Sequence, residues 1–164
     1  TPYAAFQQQM TALLSKRDIA AVEKLLADAG KNPDLQDAQE LLKWDAAELD
    51  EMKRFWAAAE QAAASQKVGE SIRIGGSGFI LEKYEQGVFT LKAKTKVVER
   101  RLTELSPGDL LALVDKVIPK TEPAGQLGIG IFLHYEGKAQ AQGSKTRLER
   151  AVATQQNVVP SVMG

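Results

Sequence analysis

Residues 69–105, GESIRIGGSGFILEKYEQGVFTLKAKTKVVERRLTEL, decide how this chain folds. Here the apolar spacing shifts from a period near four to a period near two, the pattern of strands that bury one face. Four short strands are predicted, at Ser71–Ile74, Phe79–Glu85, Val88–Ala93 and Val97–Leu102. Glu85-Gln86-Gly87 offers a tight turn with a glycine open to positive φ, and Lys94-Thr95-Lys96 a second, polar one. Along the third run Phe89, Leu91 and Ala93 fall on one face, with Val88, Thr90 and Lys92 on the other.

On both sides of this stretch the period is helical. Tyr3, Phe6, Met10, Leu13 and Leu14 give a first helix one apolar face. Asp18 stands where it can cap a second helix carrying Ile19, Val22, Leu25, Leu26 and Ala29, with Gly30 as its stop. So brief a link makes the pair an antiparallel hairpin. Asn32-Pro33-Asp34 opens a third helix that runs through Leu35, Ala38, Leu41, Leu42, Leu49, Met52, Phe55, Trp56 and Ala59 to about Ala64, with Trp44 and Asp45 off the stripe. At about 1.5 Å per residue it would reach roughly 45 Å. A kink is expected in it, or two halves that pack on different partners. Downstream, Ser106-Pro107-Gly108-Asp109 combines a serine cap, a proline at the first helical position and an acid at the third. Leu110, Leu111, Leu113, Val114, Val117 and Ile118 form the next apolar face, ending at Pro119. Further helices are expected at Ala124–Tyr135 and Lys145–Thr154.

The fold class is therefore α+β. It comprises an N-terminal helical hairpin and long helix, a small antiparallel β unit that curls like an SH3-like barrel, and C-terminal helices that cover its apolar face. The expected division is 1–66 for the helical region, 67–154 for the β unit with its helices, and 155–164 for a tail. Thr1 is not an initiator methionine, so the chain reads as a piece of a longer protein or a processed product.

Composition narrows the chemistry. With no cysteine, disulfides, thiolate metal sites and cysteine nucleophiles are excluded. Lys+Arg and Asp+Glu balance at 21 each, so no global field draws nucleic acid or an anionic membrane. The signs are segregated, acidic from Arg17 to Glu60 and mildly basic from Lys67 to Leu105, a pattern that suits the seating of one part on the other. No apolar run spans a bilayer, so no membrane insertion by this segment is expected.

No catalytic, cofactor-binding or metal-binding residue is assigned, no cofactor is expected, and the chain is read as not an enzyme. Gly75-Gly76-Ser77-Gly78 lacks the Lys-Ser/Thr of a phosphate loop and opens a strand, which makes it a hairpin turn. Gly125, Gly128 and Gly130 follow no strand and fit close helix packing. His134, the single histidine, has neither a nucleophile elbow nor a zinc-binding helix pattern beside it and reads as a surface or helix-end residue. Asp45, Glu48, Asp50 and Glu51 read as a solvated acidic face. Trp44, Phe55, Trp56 and Tyr3 read as core or interface residues. The candidate binding residues are Arg73, Lys92, Arg100 and Arg101, which with Lys94, Lys96, Tyr84 and Phe89 could form a single-strand nucleic-acid platform, diluted by Glu82, Glu85, Glu99 and Glu104.

Val68-Gly69-Glu70-Ser71-Ile72, the Gly87 turn, Leu102…Leu105 leading into Leu110-Leu111-Ala112-Leu113, Ile129–Leu133 and Leu148-Glu149-Arg150-Ala151 together resemble a C-terminal module of planctomycete bacterial proteins. Some of those proteins carry serine/threonine kinase domains. The helices from Tyr3 to Ala64 look like the helical prelude of the same proteins and loosely like one tetratricopeptide-type hairpin. No second copy follows, so no solenoid groove is expected. The resemblance implies a fold and brings no activity and no functional residue. The resulting expectation is a non-catalytic module for protein interaction or domain positioning in a larger bacterial protein. Its partner would be a protein or another domain of the same parent, and nucleic acid is not expected. The competing expectation is a module that binds single-stranded nucleic acid, glycan or peptide on the β unit.

Overall fold

In a computed structural model the described residues, 1–137, form five α-helices and one four-stranded antiparallel sheet. The helix expected at Lys145–Thr154 and the tail 155–164 lie outside them. Two compact units emerge. One holds Thr1–Arg54 together with the chain from Pro123, and the other holds Phe55–Glu122. Contacts thus group Phe55–Ala64 with the strands and the helix after Pro123 with the N-terminal helices, whereas the expected 1–66 and 67–154 division follows chain order.

In the first unit, α1 (Pro2–Ser15) is capped by Thr1, whose Oγ1 accepts the Ala4 N–H at 3.1 Å. The link to α2 (Ile19–Lys31) turns at Arg17, which has φ +63, and Asp18 accepts the Ala21 N–H at 3.1 Å. Gly30 does not stop α2 as expected. It stays helical, and the helix ends at Asn32, which Pro33 forces into an extended conformation (ψ 118). The third helix is also corrected at its start: Pro33–Ala38 is a 3₁₀ segment, and α3 spans Gln39–Ala64. The unit boundary falls inside α3, after Arg54, so its two halves do belong to different packing groups. The core of the first unit is built on Phe6, Met10, Leu14, Val22, Leu35, Leu42, Leu49 and Met52, with Ile129, Phe132 and Leu133 from α5 (Pro123–Tyr135).

The buried stripe of α3 differs from the expected one at two places. Leu41 and Trp44 are exposed, while Asp45 is buried. Asp45 follows Leu42 by three residues and precedes Leu49 by four, so the helical period itself carries it inward.

In the second unit the strands are β1 (Ser71–Ile74), β2 (Ser77–Glu85), β3 (Val88–Ala93) and β4 (Lys96–Arg101), paired in chain order as a meander. Gly75 and Gly76 (φ +61 and +80) form the first turn, Gln86 and Gly87 (φ +50 and +78) the second. Positive φ at both central residues matches the twist of a two-residue hairpin. A register shift between Leu81 and Lys83 puts a bulge in β2. Ile72, Ile74, Leu81, Phe89 and Leu91 are buried on the inner face, with Phe55, Ala59 and Ala63 from α3. Helix α4 (Pro107–Val114) begins as expected, Ser106 Oγ accepting the Asp109 N–H at 3.2 Å. It buries Leu110, Leu113 and Val114, while Leu111 is only half-buried.

Candidate functional site

Residues paired across an antiparallel sheet share a face, so the register sorts the candidate binding residues. One outer row reads Ser71, Ile80, Lys92, Val97; the next reads Lys83, Thr90, Glu99; the third reads Glu85, Val88, Arg101. Arg73, opposite Gly78, belongs to the same face. Arg100 does not: it stands opposite the buried Phe89, at the edge of the inner face, and its guanidinium donates to the Glu99 carbonyl at 2.9 Å. The sheet therefore puts Arg73, Lys92 and Arg101 on one face, each in a different row, and sets Arg100 apart. At the centre of the outer face Ile80 and Val97 are 45% and 55% exposed, either side of Lys92. Lys83 pairs with Glu85 at 3.6 Å and Arg101 with Glu104 at 4.0 Å.

The rings expected beside these cations are elsewhere. Phe89 is fully buried, Tyr84 packs on it with ring centroids 4.6 Å apart, and the Tyr84 hydroxyl donates to Glu60.

A cleft of about 150 Å³ runs along β1, walled on one side by Ser71–Ile74 and on the other by Leu105, Asp109, Ala112, Leu113 and Lys116, with Gln66 at one end. Asp109 accepts the Gly75 N–H at 2.9 Å, and Lys116 donates to Gln66 at 3.4 Å.

The first unit holds a cluster the sequence reading missed. Asp45 accepts from the Tyr3 hydroxyl at 2.7 Å and from Gln7 Nε2 at 3.0 Å, and Gln7 also donates to the Tyr3 oxygen at 2.6 Å. One turn along α3, Glu48 accepts from the Tyr135 hydroxyl. Asp45 and Glu48 are thus not a solvated acidic face. Burial raises both carboxyls above their ordinary range, and the hydrogen bonds they accept oppose that shift. The Tyr3 hydroxyl is pushed up to about 12, by burial first and then by the bond to Asp45. Tyr135 and Tyr84 move in the same direction for the same causes, with Glu48 and Glu60 as their acceptors. Among the described residues the fully buried side-chain oxygen without a hydrogen bond is Glu51 Oε2, outside this cluster, and the bonds within the cluster suit holding α1, α3 and α5 together.

Nearby, Arg17 makes a two-pronged contact with Glu136, Nε to Oε1 at 2.8 Å and Nη2 to Oε2 at 3.0 Å, and lies 5.5 Å from the Phe132 ring centroid. His134 is exposed in the last turn of α5, edge-on to Tyr135. Among the described residues no group of three or more His, Asp or Glu is placed to hold a metal ion, and no helix is long and apolar enough to cross a membrane. Gly128 and Gly130 are buried within α5, and the element directly before α5 is the helix α4, not a strand.

No protein-family model matches the chain, and no curated protein or solved structure matches it either.

Proposed function

We propose that this chain is a non-catalytic module for protein interaction or domain positioning, in the manner of the SH3-like planctomycete module that its sequence resembles. The observation that carries this reading is the outer sheet face. There Ile80 and Val97 present apolar surface on either side of Lys92, within a rim of Arg73, Lys83, Glu85, Glu99 and Arg101. An apolar centre with a charged rim is the anatomy of a partner surface. The nucleic-acid reading has less support, because Phe89 and Tyr84, the two rings expected beside the cations, lie on the inner side of the sheet, away from the outer rows.

The test is capture from extracts of the source cells by the immobilised chain, run beside the Ile80→Glu/Val97→Glu double variant. Both substitutions are on exposed positions, so the variant should keep its circular dichroism spectrum and melting temperature. Proteins held by the parent chain and lost from the folded variant support the proposal; identical sets from both overturn it.

A further inference from the structure

We infer that the cleft between β1 and α4 receives an extended peptide segment, with apolar and acidic residues at alternate positions, that adds a strand to the free edge of β1.

The argument begins with main-chain parity. In a two-residue hairpin the residues flanking the turn, here Ile74 and Ser77, form the last hydrogen-bonded pair. At the other end of the ladder the Leu81 N–H donates to the Glu70 carbonyl at 3.0 Å. Glu70, Ile72 and Ile74 therefore turn their main-chain groups toward β2, and Ser71, Arg73 and Gly75 turn theirs outward. Of the outward groups, the Gly75 N–H is taken by Asp109. The peptide groups of Ser71 and Arg73 have no protein partner among the described residues.

Beside these groups lies the cleft, walled by α4 and Leu105. An edge strand flanked by a helix is the arrangement in which domains bind peptides by strand addition: main-chain bonds give affinity and alternate side chains give selectivity. The two phases of an added strand would meet different surroundings. Side chains in phase with Ile72 and Ile74 would face Leu105 and Leu113, and so should be apolar. Those in phase with Ser71 and Arg73 would meet the Arg73 guanidinium, whose one hydrogen bond among the described residues is a long one, to the Gly76 carbonyl at 3.4 Å. On the α4 wall, beside Leu113, Lys116 donates to Gln66, and the lining carboxylate Asp109 is engaged with Gly75, so neither opposes an acidic side chain in the Arg73 phase. The cleft thus favours acidic side chains in that phase. A charged residue on an edge strand also discourages pairing with unrelated strands, which leaves selectivity to partners of opposite charge.

This site goes beyond the proposed function, since it uses neither Ile80 nor Val97. The experiment selects binders from a random-peptide phage library against the immobilised full chain and measures the affinity of the enriched peptides as synthetic products. Enriched sequences should alternate apolar and acidic residues. Binding should weaken about tenfold or more on N-methylation of alternate peptide amides, about what one or two main-chain hydrogen bonds are worth. Arg73→Glu and Ser71→Pro should have similar effects. Proline at 71 removes an outward donor that β2 does not use, so the ladder tolerates it. On binding, the Ser71 and Arg73 amides should become slow to exchange in NMR spectra, while Ile80→Glu/Val97→Glu should leave affinity unchanged. No enrichment, enrichment of basic or proline-rich peptides, or binding indifferent to N-methylation would overturn the inference. Because N-methylated peptides are read on the unaltered chain, a misfolded variant does not blunt the test.

Discussion

The carboxylate of Asp109 accepts the backbone N–H of Gly75 at 2.9 Å, tying the β1–β2 turn to the first turn of α4. Asp109 also lies where the helix N-terminus favours an anion, and its own N–H donates to Ser106 Oγ. Asp109→Ala should cost about 1–2 kcal/mol, from the lost charge-assisted bond and the lost interaction with the helix end. Asp109→Asn keeps an acceptor and should recover part of it. Urea unfolding gives the stabilities, and amide exchange at Gly75 gives the local effect. Unchanged Gly75 exchange in Asp109→Ala would show that the turn is held in another way.

Leu91 is fully buried in the centre of the sheet, whereas Leu111 is half-buried on α4. Leu91→Ala is therefore expected to cost roughly 2–5 kcal/mol, the range for a large core truncation. Leu110→Ala should fall in the same range, and Leu111→Ala clearly below it. Equal losses at 110 and 111 would mean that α4 presents a different face to its core.

Much of what local chemistry specifies is legible in the sequence. The hairpins follow from Gly75-Gly76 and Gln86-Gly87 between alternating runs, and α4 from Ser106 and Pro107. Gly30 misled because the Asn32-Pro33 pair, two residues on, ends the helix by steric restriction whatever glycine would permit. Asp45 and Glu48 were read as solvated because their partners Tyr3 and Tyr135 are 42 and 87 residues away, beyond any local pattern. One signal was nonetheless present: Leu42, Asp45, Leu49 and Met52 keep helical spacing on one face. On the sheet, Arg73, Lys92 and Arg101 share a face through register, and the odd parity of Arg100 follows only once the strand pairing is known.

All three tyrosines of the chain donate their hydroxyls to carboxylates of α3: Tyr3 to Asp45, Tyr84 to Glu60 and Tyr135 to Glu48. Burial together with these acceptors raises each phenol above its ordinary value. A group whose folded pKa exceeds its unfolded one contributes stability that is complete below the unfolded value and is lost as pH climbs through the folded one. Stability should therefore decline from about pH 10 upward, through the value of about 12 for Tyr3. Phenolate absorbance should rise together with unfolding. A tyrosine that ionises near pH 10 in the folded chain would show that its carboxylate bond is not made.

Asp45 and Glu48 give the acid side of the same linkage. Both folded pKa values are raised, so the folded chain holds more protons than the unfolded one. Their contribution is complete below the unfolded carboxyl values and falls as pH rises through the folded ones. Asp45→Asn keeps an acceptor for Tyr3 or Gln7 and removes the buried charge, so relative to the parent it should gain stability from about pH 4 toward 7. Asp45→Ala takes the acceptor from the half-buried Tyr3 hydroxyl, while the exposed Gln7 amide can turn to water, and should cost about 1 kcal/mol at neutral pH. Chemical unfolding at several pH values decides this, and a parallel pH profile for Asn and parent would remove Asp45 from the linkage.

His134 is exposed and, beyond its edge contact with Tyr135, is engaged by no hydrogen bond among the described residues. His134→Ala should therefore leave the melting temperature within about 1–2 °C of the parent, the span of a surface substitution. A larger drop would mean that the ring contact steadies the end of α5 and the Tyr135–Glu48 bond.

Nucleic acid provides the sharpest contrast between partner classes. Sequence-independent affinity requires unopposed phosphate neutralisation and falls steeply with salt. On the outer face Lys83 is paired with Glu85, Arg101 with Glu104, and Glu99 stands in the central row. Arg100, on the other face, caps the Glu99 carbonyl. With the rings of Phe89 and Tyr84 turned inward, neither charge nor stacking favours a single strand. Titration of labelled single-stranded DNA and RNA near physiological salt should therefore show no binding tighter than about 10⁻⁶ M. Nanomolar affinity abolished by Arg100→Glu with Arg101→Glu would replace the protein-interaction reading with a nucleic-acid one.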